Sequence, residues 1–111
     1  MIDFNDIIWD DLTVESMYID FEKGNLEISF LNYNELNDCY DKYKIIATEI
    51  INAKLGQIEI GNETGEVEIT DASFCVIKND EHKLSLTLLL GFGKPSVDIE
   101  VHAKNIVFLK V

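Results

Sequence analysis

Cysteine and histidine are the residue types in this sequence that could supply a nucleophile with its base, or a set of metal ligands. The chain has two of each: Cys39, Cys75, His82 and His102. A cysteine thiolate needs a neighbouring imidazole or another positive group to be reactive. Cys75 lies in the apolar run 74–77, which is typical of an inert core cysteine, and both histidines stand among polar residues. We therefore predict no catalytic residue and no enzyme.

Metal and cofactor sites have no signature in the sequence either. The cysteines and histidines lack the short paired spacings of zinc sites. Acidic stretches such as 38–41 lack the alternating acids and terminal glutamate of a calcium-binding loop. Residues 91–94, Gly-Phe-Gly-Lys, lack the length, the hydroxyl residue and the helix of a phosphate-binding loop. The sequence predicts no metal site and no cofactor.

The charge of the chain indicates what kind of partner it can have. Twenty-one Asp and Glu residues against nine Lys and Arg give a net charge of -12. Such a surface repels nucleic acid and anionic membranes, and it speeds the encounter with a basic protein. Solubility alone would also account for the charge. We expect no nucleic-acid partner, no membrane partner, and a protein partner that is basic.

Length and composition indicate one domain, residues 1–111, in the cytoplasm. Hydrophobic residues make up 47% of the chain, which is enough for one core at this length. No stretch approaches the ~18 consecutive apolar residues that cross a bilayer. Residues 1–10 have neither the basic region nor the apolar run of a secretory signal. Two cysteines fit free intracellular thiols better than a disulfide framework.

Short strands separated by turn residues must position any site. Apolar and polar residues alternate over 15–21 and 26–30, on either side of Gly24 and Asn25, which predicts a hairpin. Trp9, in a helical turn, should plug one end of the core. Further strands are predicted at 57–60, 66–69, 74–78, 84–90, 97–104 and 106–109. The pattern predicts a mainly β fold, a single-domain antiparallel sandwich or open barrel of short strands.

The segment 35–54 leaves helix and strand open. Apolar spacing from Tyr43 onward fits a helix, while the density of β-branched residues favours a strand. Residues 45–51 and 101–107 share an apolar-x-Ala-x-x-apolar-apolar pattern, and residues 69–74 are a milder copy. We interpret each copy as a strand that kinks or bulges at two polar residues. One helix within 35–54 stays the alternative.

The start of the chain resembles a known family. At Ile8-Trp9-Asp10-Asp11-Leu12, followed by an alternating strand over 14–21, it resembles small bacterial β proteins that open with Trp-His-Asp. Some of these are immunity proteins of polymorphic toxin systems, such as the immunity protein 50 family. Asp10 stands here where that pattern has His. The resemblance implies a cytosolic antidote that binds and blocks a toxin, and it transfers no catalytic residue.

The sequence favours a non-enzymatic acidic interaction module, most specifically an immunity protein that neutralises a basic toxin. Interfaces concentrate their energy in a few aromatic or charged anchors. The predicted anchors are Asp10, Asp11, Tyr33, Tyr40 and Phe92. One alternative is a homodimeric or larger structural or accessory subunit that pairs through a strand edge such as 97–103. Another is a small-ligand-binding protein or enzyme whose site forms only in three dimensions.

Overall fold

Six antiparallel strands of the described chain form one sheet that closes into a barrel in a computed structural model. The structure describes residues 1–59, 65–78, 80–91 and 93–111. The strands are β1 (Leu12–Asp20), β2 (Asn25–Asn34), β3 (Cys39–Lys54), β4 (Glu68–Val76), β5 (His82–Leu89) and β6 (Val97–Lys110). A 3₁₀ turn, Phe4–Asp6, precedes them. The predicted mainly β antiparallel fold is confirmed, and the sheet is a closed barrel rather than a sandwich or an open barrel.

The barrel consists of two meanders, β1–β2–β3 and β4–β5–β6, that meet along two seams. One seam is the long ladder between β3 and β6. The other seam is short: in the described residues, β1 meets β4 where Leu12 pairs with Ile69 and Thr13 with Glu68. The Val14 N–H extends this short seam by donating to the Val67 carbonyl at 2.7 Å. The rest of β1 and of β4 diverges on either side of it.

Residues 35–54, for which the sequence allowed either a helix or a strand, are mostly extended, because β3 occupies residues 39–54. Its β-branched side chains alternate between the core, as with Ile45, and the outside, as with Ile46. Branched side chains pack well on such a pleated surface. Four residues, 35–38, form the turn that leads into β3. The helix within 35–54 is therefore ruled out in favour of the strand.

The two similar segments are antiparallel partners that bend together. Ala47 pairs with Ile106 and Ile50 with Ala103, and all four side chains face the core. The two residues between these pairs point outward on both strands, with Glu49 at a positive φ of 53°. The milder copy in β4 also carries a bulge, between residues 69 and 71. The predicted kinks are confirmed, and they form a corner of the barrel.

The predicted strand 57–60 does not form over its described residues, and the predicted strands 66–69 and 74–78 are parts of one strand, β4, which begins at Glu68. Residues 57–59 and 66–67 are not in strands, and residues 60–64 lie outside the described residues. Ile58 and Val67 instead pack their side chains against the core. Gly56, at a φ of 64°, turns the chain out of β3 before this stretch. The alternating apolar residues here belong to a segment that lies over the core without pairing in the sheet. Such a segment buries the same side chains as a strand would.

The predicted free edge at residues 97–103 is wrong. β6 pairs with β5 over residues 97–103 and with β3 from residue 100 onward, so this stretch is an inner strand of the barrel and not a free edge. Val97, Ile99, Val101 and Ala103 alternate because they fill the barrel interior.

No helix in the described ranges has the length and apolarity to cross a membrane.

The N-terminal segment closes one end of the barrel with aromatic rings. Ile2 bridges to Phe108 at the end of β6, and the chain then crosses the barrel mouth. The Trp9 ring stacks on Phe4 with centroids 5.0 Å apart and lies 5.4 Å from Phe30. Its indole N–H donates to the Phe4 carbonyl at 3.0 Å. Trp9 therefore plugs one end of the core, as predicted.

Candidate functional site

The same end of the barrel carries a cluster of acidic residues. β2 ends and β3 begins there, and the N-terminal segment crosses it before β1 begins. Residues 1–11 and 33–41, which we call the acidic tip, contain seven Asp and Glu residues and no Lys or Arg. Lys110, from the end of β6, lies 3.5 Å from Asp41 and pairs with that one carboxylate. The remaining six carboxylates leave a strongly negative surface.

The hairpin turn of the acidic tip is held by its own polar side chains. The side-chain Oδ1 atom of Asn34 accepts a hydrogen bond from the backbone N–H of Leu36 at 3.0 Å. The Asn34 amide donates to the Asp41 carboxylate at 3.1 Å, across the base of the hairpin. Asp38 takes a positive φ of 49°, which Asp tolerates better than most residues. These bonds fix the turn, so a partner meets an ordered surface.

Two tyrosines stand side by side on this hairpin. Tyr33 of β2 pairs with Tyr40 of β3, and their rings meet edge to face with centroids 5.3 Å apart. They are 47% and 61% exposed, which leaves most of the pair available for contact. The Tyr33 hydroxyl donates a hydrogen bond to the Asp38 carboxylate. The turn also presents Leu36, which is 97% exposed.

Titration of Tyr33 reports directly on this arrangement. The hydrogen bond to Asp38 raises the pKa of the Tyr33 phenol, and desolvation adds to the effect, since ionisation would lose the bond and set two negative charges together. The bond therefore favours the folded state below the ordinary pKa of tyrosine, and that contribution is lost as pH rises through the higher folded-state value. We expect Asp38→Asn to lower the pKa of Tyr33 towards its ordinary value, measured by NMR on the ring carbon that bears the hydroxyl.

Glu35→Gln is the matched control for that titration, because it removes one charge from the same turn without removing the acceptor. It should leave most of the rise in the pKa of Tyr33 in place. Equal effects of the two substitutions would show that general charge, and not the Asp38 hydrogen bond, shifts the titration.

The structure brings four of the five predicted anchors to the acidic tip. Tyr33 and Tyr40 are on the hairpin, and Asp10 and Asp11 are exposed at the start of β1. The pairing of Thr13 with Leu31 places Asp11 and Tyr33 each two residues further towards this end. Phe92 lies outside the described residues.

Sequence reasoning overlooked two exposed apolar residues of the acidic tip. Leu36 projects from the hairpin turn, and Ile8, 76% exposed, projects from the N-terminal segment. Leu36 stands in a stretch of Asn and acidic residues typical of a turn, and an apolar residue there was the available signal of an exposed contact. Ile8 lies in the apolar run 7–9, which does not specify which of its members face the core.

The cysteines are free thiols, as predicted, but the prediction that Cys75 is a core residue is wrong. Both Cys39 and Cys75 are exposed. Phe74 turns inward and stacks on His82, with centroids 5.6 Å apart, so its neighbour Cys75 points outward on β4. A short apolar run does not specify which of its members face the core.

The histidines make structural contacts at the ends and outside of the strands: His82 lies against the inward-facing Phe74 at the barrel end, and His102 points outward from β6. The Nε2 atom of His102 lies 2.7 Å from a Glu81 carboxylate oxygen, and the Nδ1 atom of His82 lies 3.0 Å from the Lys104 carbonyl. Within the described ranges, no group of three or more His, Cys, Asp or Glu side chains is arranged to hold a metal ion. These contacts join neighbouring strands and offer no converging set of reactive groups.

A shallow depression of about 390 Å³ lies at the opposite end of the barrel. It is bounded by the chain around Gly56 and by the start of β6, with Lys94 and Asp98 at its rim.

Comparison with known proteins adds no information about the function of this site. The acidic tip and the aromatic pair on it are the features from which a function can be argued. Neither a protein-family model, nor a curated protein, nor a solved structure shows significant similarity to this chain.

Proposed function

We propose that this chain is a non-enzymatic interaction module that binds a basic protein through its acidic tip. The observation that carries the proposal is the exposed pair Tyr33 and Tyr40 on an ordered hairpin whose surroundings are acidic. Aromatic residues of this kind supply much of the energy at protein interfaces. The acids around them select a partner of opposite charge.

The order of the hairpin favours affinity as well as specificity. Asn34 bonds both the turn and Asp41, so binding does not have to freeze a disordered loop. Ordering a side chain or loop at an interface costs about 0.5–1.5 kcal/mol for each rotamer-rich side chain. The long-range field of a chain with net charge -12 would also speed association with a basic surface.

The most specific form of the proposal is an immunity protein that acts in the cytoplasm of a bacterial cell. The resemblance at residues 8–12 supports it, and Asp10 and Asp11 of that segment belong to the acidic tip. A toxin that acts on nucleic acid must hold phosphates with basic residues. An acidic, aromatic surface would complement such a site and block it.

The first test uses tagged protein and lysate of the source cell. Wild type, a Tyr33→Ala/Tyr40→Ala double variant and Phe21→Ala are each loaded at about 0.05 M salt and eluted with rising salt. We expect wild type to retain a basic protein that elutes as salt screens the charges. The recombinant partner should then bind the double variant about 10- to 100-fold more weakly, measured by calorimetry, because the two anchors are lost.

Phe21→Ala is the matched control, since Phe21 is an exposed aromatic, 87% accessible, at the turn after β1 and far from the hairpin. Its affinity should stay within about twofold of wild type, as expected for a residue outside the contact. A retained partner that is acidic, or one that binds the double variant as tightly as wild type, would contradict the proposal.

A further inference from the structure

The outside of β1, β2, β3 and β6 carries a group of apolar side chains among its polar ones, on a sheet face that is ordinarily polar. Ile46 of β3 pairs with Val107 of β6, and both lie between core residues of their strands, so they point outward. Both are half-buried among their neighbours and not part of the core. The same face presents Tyr18, Leu31 and Leu109.

The charges on this face cancel. Lys44 lies 2.9 Å from Glu27, and Lys42 lies 3.3 Å from Glu15, so each lysine has its own carboxylate. The aliphatic stems of the two lysines add apolar surface beside Leu31 and Leu109. Without these four charges the chain still holds 19 acids and seven bases, so its whole net charge of -12 lies elsewhere. We call the five apolar residues and the two ion pairs the neutral face.

We propose that the neutral face binds a second copy of this chain in a two-fold symmetric dimer. A second copy carries the same excess of negative charge, so approach through most other surfaces is repelled. The neutral face removes that penalty where the two copies touch. In a two-fold symmetric dimer both subunits contribute the same surface, so Ile46 and Val107 of one copy contact Ile46 and Val107 of the other.

The extent of the neutral face determines how strong the dimer is. With strands ~4.8 Å apart and ~3.3 Å per residue, four strands and three rows of side chains cover about 300 Å². A standard stable interface buries about 800 Å² on each partner. The dimer is therefore weak and forms only at high protein concentration.

Salt has opposite effects on the two interactions of this molecule. Ions screen the repulsion between two copies, so salt strengthens the dimer through the neutral face. Ions also screen the attraction between the acidic tip and a basic partner, so salt weakens that complex. The two surfaces consist of different residues, and failure of one proposal leaves the other standing.

Sedimentation equilibrium of the full chain tests the dimer at about 0.05 and about 0.5 M salt, two conditions that differ strongly in screening. We expect the dimer fraction of wild type to rise with protein concentration and with salt. Ile46→Glu should raise the dissociation constant at least about tenfold, because it buries a charge at the centre of the interface. In wild type, amide NMR shifts that change with concentration should cluster at Leu31, Ile46 and Leu109.

Asn52→Glu is the matched control, since it adds the same charge on an exposed position of the same strand, opposite His102 and outside the neutral face. It should change the dissociation constant by less than about threefold. A wild-type protein that stays monomeric at millimolar concentration in high salt would overturn the proposal. So would a dimer that responds equally to both substitutions, or whose concentration-dependent shifts lie on another surface.

Discussion

Trp9→Ala is expected to lower the free energy of unfolding by about 2–4 kcal/mol. The indole contacts Phe4 and Phe30 and also lies against Phe108, so its removal leaves a gap across the barrel mouth. The Phe4 carbonyl loses the indole N–H at the same time. Urea denaturation followed by circular dichroism measures the change.

Ile8→Ala is the matched control for the aromatic plug, because Ile8 is the neighbouring residue and is 76% exposed. Its substitution should change the free energy of unfolding by less than about 0.5 kcal/mol. If Trp9→Ala cost no more than Ile8→Ala, the N-terminal segment would not be part of the folded core.

Gly56→Ala is expected to cost about 2–4 kcal/mol of unfolding free energy, because two penalties combine at this position. Gly56 has a φ of 64°, which strains any residue with a Cβ. A Cβ there would also lie 2.6 Å from the Val97 Cγ1 atom and 2.8 Å from the Asp98 carbonyl oxygen. The backbone oxygen cannot move away without disturbing β6.

Gly93→Ala separates the two penalties, since Gly93 has a φ of 73° but a Cβ added there would meet no atom of the described chain within 4 Å. Backbone strain alone should then cost about 1 kcal/mol. Thermal unfolding of both variants under one condition gives the comparison. Equal losses would mean that the close approach of Gly56 to β6 contributes nothing.

Local patterns were sufficient to predict most strands. The alternation of Leu26, Ile28 and Phe30 identified the inward face of β2, and all three are buried. The repeated pattern at 45–51 and 101–107 located the barrel corner, where two consecutive side chains point outward on each of the two paired strands. Both results follow from side-chain direction, which depends on the local chain alone.

The closure of the sheet could not be predicted in this way. Alternation shows which residues face a core, but it does not show which strands are neighbours. The interior position of β6 and the short contact between β1 and β4 depend on pairing between distant segments. The same reason explains residues 57–59, since packing over the core and pairing in a sheet bury the same apolar side chains.

The acidic tip could be predicted in its chemistry but not in its assembly. Asp10, Asp11, Tyr33 and Tyr40 were selected as exposed acids and aromatics, and the end of the barrel gathers them. Nothing in the local sequence specified that the N-terminal segment and the β2–β3 hairpin share that end. Leu36 was overlooked because it lies in a segment whose composition predicts a turn, and apolar residues were sought within strands.

The short seam between β1 and β4 also sets how the molecule can fluctuate. Along the described chain this seam joins Leu12 to Ile69 and Thr13 to Glu68, while every other neighbouring pair of strands shares a much longer ladder. Separating it breaks few hydrogen bonds, so we expect a partial opening at this seam at a lower free energy than global unfolding. In that open state the two meanders stay joined through β3 and β6, and the interior is briefly accessible from one side.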